Sequence, residues 1–381
     1  MLREPRKIAG FSLLELMISM AIGLLLLGSA LAMYKQAVSA TWVTSQRSEM
    51  QQDFRAASNL LARDISMAGS GGLGQQGLAS YSVGLPTGTG SVVPVYPCSA
   101  TTCNFINGAP VAYPTVSGAP YLYSIIPGYD LGISVTEGPT DIITVSYADV
   151  SLALNCYSVT VVSATQVLFQ LPTTPAATCV LPGNDVTVPL LNAAGVGLQP
   201  GDFILFGTSA AGVVNNVTPA TPASGYSSAF TVTFTTGDPG HIDQPTVTGG
   251  SMNQLPLGAS ATLSAVRLLV ITYYLDISPL DGVTPRLMRI QNGKSAFPVA
   301  ENVGYLKFTY DVDNNGVITA AQPSLPAGVT PNMITKVNIA HMSMRSQQIG
   351  TTGYQGFDLQ TSISARNLTM GQEYPISGSS Y

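Results

Sequence analysis

The sequence predicts an α+β protein. A long N-terminal α-helix, transmembrane and then amphipathic, should pack on a mostly antiparallel β-sheet globular domain with a large β-rich insertion. Three observations carry this expectation. In an apolar run from Phe11 to Tyr34, Glu15 is the only ionisable side chain before the tyrosine. The stretch up to Ala68 contains no proline and carries an apolar stripe at helical spacing. Beyond residue 120, short runs rich in β-branched and aromatic residues alternate with turn residues.

The apolar run spans about 24 residues and would rise about 36 Å as a helix at ~1.5 Å per residue. That exceeds the ~30 Å of a hydrocarbon core. Before it stand Arg3, Arg6 and Lys7 in a short leader, residues 1–10. Positive charge on this side places it in the cytoplasm and sends the remainder outward. Glu15 is the anomaly, because a carboxylate inside an apolar helix costs roughly 2.5–3.5 kcal/mol on insertion scales. Cleavage after Gly10 would give Phe11 a free amine one helical turn from Glu15, within a chain or between chains. Amine and carboxylate would neutralise each other. A plain single-pass anchor explains the length but not Glu15. A secretory signal peptide finds a small-x-small site at Ala30-Leu31-Ala32, yet its apolar segment normally runs only about 7–15 residues.

After Tyr34 the same helix becomes amphipathic: Met50, Phe54, Ala57, Leu61, Ile65 and Ala68 share one face. Gln46, Arg47, Glu49, Gln52, Asp53 and Arg55 occupy the others. The predicted helix covers residues 11–68, with 11–34 in the membrane or a filament core, and Gly69 ends it. Ser19 with Gly23, and Gly28 with Ala32, are small pairs four apart that permit close helix approach.

The Gly10-Phe11-Ser12-Leu13-Leu14-Glu15 junction and the apolar run behind it resemble the N-terminal signal of type IV prepilins and pseudopilins. That resemblance implies cleavage between Gly10 and Phe11 by a prepilin peptidase, N-methylation of Phe11, and subunit registration through Glu15. Gln52-Asp53-Phe54-Arg55-Ala56 and Leu60-Leu-Ala-Arg-Asp-Ile-Ser-Met-Ala-Gly69 are similar to the helix end of PilW-type minor pilins. So are Val270-Ile-Thr-Tyr-Tyr-Leu275, Pro285-Arg-Leu-Met-Arg289, the run Val299–Asp311 and the closing Ser364-Ala-Arg-Asn-Leu368. The likeness covers about 1–69 and 266–368. It implies a low-copy subunit stored in the inner membrane with its C-terminal domain in the periplasm, then carried into an extracellular pilus. Its partners would be other minor and major pilins, in motility or adhesion. The same signal would serve a pseudopilin of a secretion or DNA-uptake filament. A membrane-anchored or secreted β-rich binding protein is the third reading.

Along the rest of the chain, residues 69–97 read as a Gly/Pro/Ser-rich linker, 98–260 as an elaborated β-rich lobe, and 261–381 as a pilin-like β-sheet region. Gly72-Leu-Gly-Gln-Gln-Gly77 has the form of a dinucleotide loop but follows a helix instead of a strand, so it reads as linker. The net charge of −5 and the lack of a basic patch argue against nucleic acid as a partner. Charged residues make up 9% of the chain, where about 25% is usual, and Gly, Ser, Thr and Pro take the polar positions.

Four cysteines, Cys98, Cys103, Cys156 and Cys179, allow three pairings in an exported protein. Cys98 and Cys103 enclose a short polar loop, while Cys156 and Cys179 flank a hairpin-like pair of strands, favouring 98–103 and 156–179. Asp311, Asp313, Asn315 and the Val317 carbonyl match the opening of a calcium loop, but Gln322 replaces its closing glutamate. Asn315-Gly316 is also a strong hairpin signal, and the turn is the favoured reading. His241 and His341 lie near no nucleophile motif, so no enzyme activity and no cofactor other than the candidate calcium is expected.

Overall fold

The computed structural model describes residues 12–70, 80–84, 115–116, 119–149, 151–174, 179, 188, 190–207, 210–234, 252, 255, 257–258, 263–278, 280, 282–292, 294–314, 316–329, 331–345 and 356–365. Helix α1 (Leu13–Met67) runs without interruption, as the proline-free stretch predicts. Two compact units divide the chain, residues 1–52 with 346–355, and residues 53–345 with 356–381.

Among the described residues of the second unit, every strand pairing is antiparallel. β1 (Ser80–Gly84), β2 (Thr115–Val116) and β3 (Ala119–Tyr123) form a small sheet in the order β1-β3-β2. β1 falls inside the stretch expected to be linker. β4 (Ile125–Gly128) joins the largest sheet, and β5 (Ser134–Val135) pairs with β6 (Gly138–Pro139). The large sheet continues with β7 (Ile142–Asp149), β8 (Ser158–Ser163), β9 (Gln166–Pro172), β10 (Phe203–Phe206), β11 (Ala210–Ala220) and β12 (Tyr226–Phe234). It is completed by β13 (Ala265–Ile277), β14 (Pro285–Gln291) and β15 (Phe297–Glu301). A separate four-stranded sheet contains β16 (Val303–Asn314), β17 (Val317–Gln322), β18 (Ile334–Arg345) and β19 (Gly356–Ser364), ordered β17-β16-β18-β19.

β13 is the hub of the ten strands. One of its edges pairs with β7 from Arg267 to Tyr273. The other pairs first with β10, from Ala265 to Leu268, and then with β14, from Ile271 to Ile277. Between those neighbours Val270 has no strand partner on this edge. Asn292 fills the gap: its Oδ1 accepts the Val270 N–H at 2.7 Å, its Nδ2 donates to the Leu268 carbonyl at 3.2 Å, and its own N–H donates to the Val270 carbonyl at 2.7 Å. The residue sits at a φ of 53°, a conformation asparagine tolerates better than most. Through β13 the large sheet crosses residue 260, where the sequence placed a boundary between lobes.

Among the described residues, two apolar clusters form about the large sheet. One gathers Ile126, Ile142, Leu205, Leu268 and Val270 about the hub. The other lies against β8–β12 and is aromatic, with Tyr157, Phe169, Phe206, Phe230 and Phe234 in tilted or edge-on contacts. Gly212 on β11 is required there, because a Cβ would sit 2.5 Å from the Phe234 ring. Cys156 and Cys179 are joined in a disulfide beside this core, Cα atoms 4.4 Å apart, around the expected β8–β9 hairpin. Cys98 and Cys103 lie outside the described residues. The bridge encloses a loop for which chain-entropy models assign about 3 kcal/mol. Replacing Cys156 and Cys179 together by Ala should lower the urea-unfolding free energy of the non-reduced protein by about that amount. Tryptophan-independent probes such as tyrosine absorbance suit the measurement, since the one tryptophan, Trp42, lies in the other unit.

Candidate functional site on the exposed apolar helix

Among its described residues, the first unit is a helix whose N-terminal part is bare and apolar. From Leu13 to Tyr34 every residue of α1 is exposed, including Leu13, Leu14, Leu16, Met17 and the four leucines 24–27. Twenty-odd helical residues rise roughly 33 Å at ~1.5 Å each, enough for a hydrocarbon core. By length and composition α1 is able to cross a membrane. Its hydroxyls suit such surroundings. Ser19 and Ser29 donate to the carbonyls of Leu16 and Leu26, at 2.9 and 2.8 Å, and Thr41 and Thr44 donate to Ala37 and Ala40, each at 2.9 Å. Each polar group is therefore satisfied within the helix. A Cβ built on Gly23 or Gly28 meets nothing within 4 Å, so both positions offer smooth backbone to a neighbouring helix.

Glu15 stands in the first turn of α1 on exposed apolar surface. Ser12 begins the helix: its carbonyl accepts the N–H groups of Glu15 and Leu16 at 3.0 and 3.2 Å, and its Oγ accepts the Leu14 N–H at 3.2 Å. Ser12-Leu-Leu-Glu15 thus has the spacing of a capping box. The carboxylate also meets the positive end of the helix dipole. The S-x-x-E spacing itself was readable in the sequence. Gly10 and Phe11 lie outside the described residues, as do Gly72–Gly77 and His241.

In the second unit the last turns of α1 bury Ala57, Leu61, Ile65 and Ala68, the stripe expected from spacing. Asp64 lies on the same face and is 2% exposed. Three donors converge on it. Tyr147 OH reaches Oδ1 at 2.9 Å, while Tyr273 OH and Arg289 Nε reach Oδ2 at 2.6 and 2.9 Å. Arg289 also stands 5.5 Å from the Phe297 ring. Burial, and then the Asp64 charge, push both phenols well above their ordinary value. Burial opposes the Arg289 charge, but Asp64 and Tyr273 outweigh it and hold its pKa above the usual range. The signal for this cluster was a carboxylate inside an apolar stripe, three residues after Leu61 and four before Ala68. Beyond it, Gly69 turns out of the helix at a φ of 72°, its N–H donating to the Ser146 carbonyl, while Ala148 donates to Ser70.

The candidate calcium residues form a hairpin. Asn314 pairs with Val317 and Asp313 with Ile318. Asp313 Oδ1 accepts the Gly316 N–H at 2.7 Å, and Asp311 Oδ1 accepts from the Ala321 N–H and from Asn338 Nδ2 at 2.9 and 2.8 Å. Asn315 is outside the described residues. His341 Nε2 is 3.3 Å from Asp358 and edge-on to Tyr305.

A family model described as the prokaryotic N-terminal methylation motif matches residues 5–31. It supports a type IV pilin-like chain, of a pilus or a pseudopilus. No curated protein and no solved structure matches the chain.

Asp64→Ala should cost about 3–5 kcal/mol, because Arg289 would remain buried without its counter-charge, and urea unfolding measures it. Alkaline titration reads the phenols. Above about pH 10 the unfolded chain ionises its tyrosines while the fold still holds protons on Tyr147, Tyr273 and Tyr157, the last pushed up to about 12 by burial. The unfolded state then binds fewer protons, so stability should fall as pH rises from about 10 to 12.

Proposed function

We propose that this chain is a minor pilin of a type IV pilus, a non-enzymatic subunit that joins other minor and major pilins to prime or extend the filament. The observation that carries the reading is the methylation motif with Glu15 in the first turn of an exposed apolar helix. In this reading prepilin peptidase cuts after Gly10, the new Phe11 amine is methylated, and Glu15 neutralises the amine of a neighbouring subunit. The uncut chain waits in the inner membrane, with its β domain in the periplasm. PilW-type character is proposed from the likeness of 52–69 and 266–368. Asp311 to Val317 serve as a turn, with no calcium required.

The N-terminal mass of the protein from its own cells tests the reading first. A chain starting at Phe11 with one added methyl supports it, and a start at Met1 or Met33 would overturn it. Substitution at Glu15 separates the two roles of that residue. Gln keeps the capping box and removes the charge, whereas Ala removes both. If Glu15 acts by neutralisation, Glu15→Gln should reduce incorporation into filaments as severely as Glu15→Ala. Near-native incorporation of Glu15→Gln would leave capping as its role. Deleting the gene should abolish twitching; loss of secretion with twitching intact would assign the chain to a pseudopilus instead. The double substitution Asp311→Ala, Asp313→Ala should leave the thermal midpoint equally insensitive to calcium and chelator.

A further inference from the structure

Lys307, on β16, reaches two carboxylates supplied by the other sheet's connections. Its Nζ contacts Asp130 Oδ1 and lies 2.8 Å from Asp141 Oδ1. Asp141 is 1% exposed at its side chain, and Lys307 is 17% exposed. Backbone groups next to each reacting residue hold the arrangement. Asp141 Oδ1 accepts the N–H of Asp130 itself at 2.9 Å, and Asp141 Oδ2 accepts the N–H of Phe308, the residue after Lys307, at 2.9 Å. The Asp141 N–H donates to the carbonyl of Leu306, the residue before Lys307, at 3.0 Å. The Tyr129 ring covers the amine at 4.7 Å. A nucleophile, an acyl group and a buried acid that touches the nucleophile are thus fixed together.

We propose that Lys307 Nζ and Asp130 Cγ become joined by an isopeptide bond in the folded protein, with Asp141 carrying the protons. The ammonium gives one proton to Asp141, which passes it to the Asp130 carboxylate. The neutral amine attacks Cγ of the resulting acid. A second proton then travels from the nitrogen through Asp141 to the departing hydroxyl. One N–C bond forms, one C–O bond breaks, one water leaves, and one hydrogen stays on the amide nitrogen. No oxidant, metal or other reactant is needed. Burial pushes the Asp141 carboxyl above its usual value, which suits a proton carrier. The two carboxylates hold the Lys307 pKa up against the effect of its burial, which makes the free amine scarce and the step slow. The step occurs once per molecule, and fixed neighbours with high effective concentration react even when slow. The bond would tie the four-stranded sheet to the β4–β7 connection of the large one.

Intact mass of the full chain from its own cells, with disulfides reduced, decides the matter. The expected result is a mass one water below that of its observed N-terminus and sequence, with a branched proteolytic fragment joining the Asp130 and Lys307 peptides. Lys307→Arg and Asp130→Ala should each restore the full mass. A wild-type chain of full mass, cut by trypsin after Lys307, would overturn the proposal, as would a Lys307→Arg chain that stayed one water light. Asp141→Asn, confirmed folded by near-ultraviolet circular dichroism, should also keep the water. Complete cross-linking in that variant would remove Asp141 from the reaction.

Discussion

A buried carboxylate governs how the last turns of α1 meet the sheet. Taking Asp64 out of water costs several kcal/mol unless donors replace the lost hydration. Tyr147 on β7, Tyr273 on β13 and Arg289 on β14 provide them. These three strands are neighbours through β13, so the carboxylate bridges the centre of the large sheet. A slip of one residue along α1 would turn Asp64 by about 100° and strand it on an apolar surface. Leu61 and Ile65 supply burial, but apolar contact tolerates rotation and sliding. The ionic cluster does not, and it selects one seating among those that bury the same stripe.

Polar clasps of the same kind recur where elements distant in sequence meet. Arg267 on β13 pairs with Asp149 on β7 at 2.5 Å and lies 3.8 Å from Asp202, which Lys294 also holds. Asp141 and Lys307 join the four-stranded sheet to the large one. Arg345 pairs with Glu137. In a chain with so few charges, most of those on the sheets are spent at junctions between elements. On β16, β18 and β19 the non-buried positions mix Thr309, Asn338, Gln360 and Ser362 with the charged Asp311, Lys336 and Asp358.

Most of the fold was legible because burial writes itself into composition. The long helix, the β8–β9 hairpin, and strands such as β13, β16 and β18 follow from periodicity and β-branched content. β11 and β15 did not, for physical reasons. β11 contains Gly212 and Pro219, which read as turn, yet the glycine is there to admit Phe234. β15 carries Pro298 and is an edge strand, where a missing N–H is tolerated. The pairing around 156 and 179 was readable from the hairpin between them. At the candidate site, Glu15 was conspicuous as a charge in an apolar run, while the cap of Ser12 on the Leu14 N–H needed the helix start to be located. Asp64 was visible only as a polar residue on the wrong face. Its partners lie 83 to 225 residues away, and no spacing rule links positions so far apart.

The splice at Asn292 has a consequence for the continuity of the large sheet. The strands β8 to β12, with their own aromatic core and disulfide, enter the large sheet only where β10 lies beside the first residues of β13. Asn292 closes the seam from the β14 side, its side-chain amide bonding the Val270 N–H and the Leu268 carbonyl. The β7-β13-β14 register that seats Asp64 therefore continues past the point where β10 stops, because Asn292 takes over as the partner of Val270.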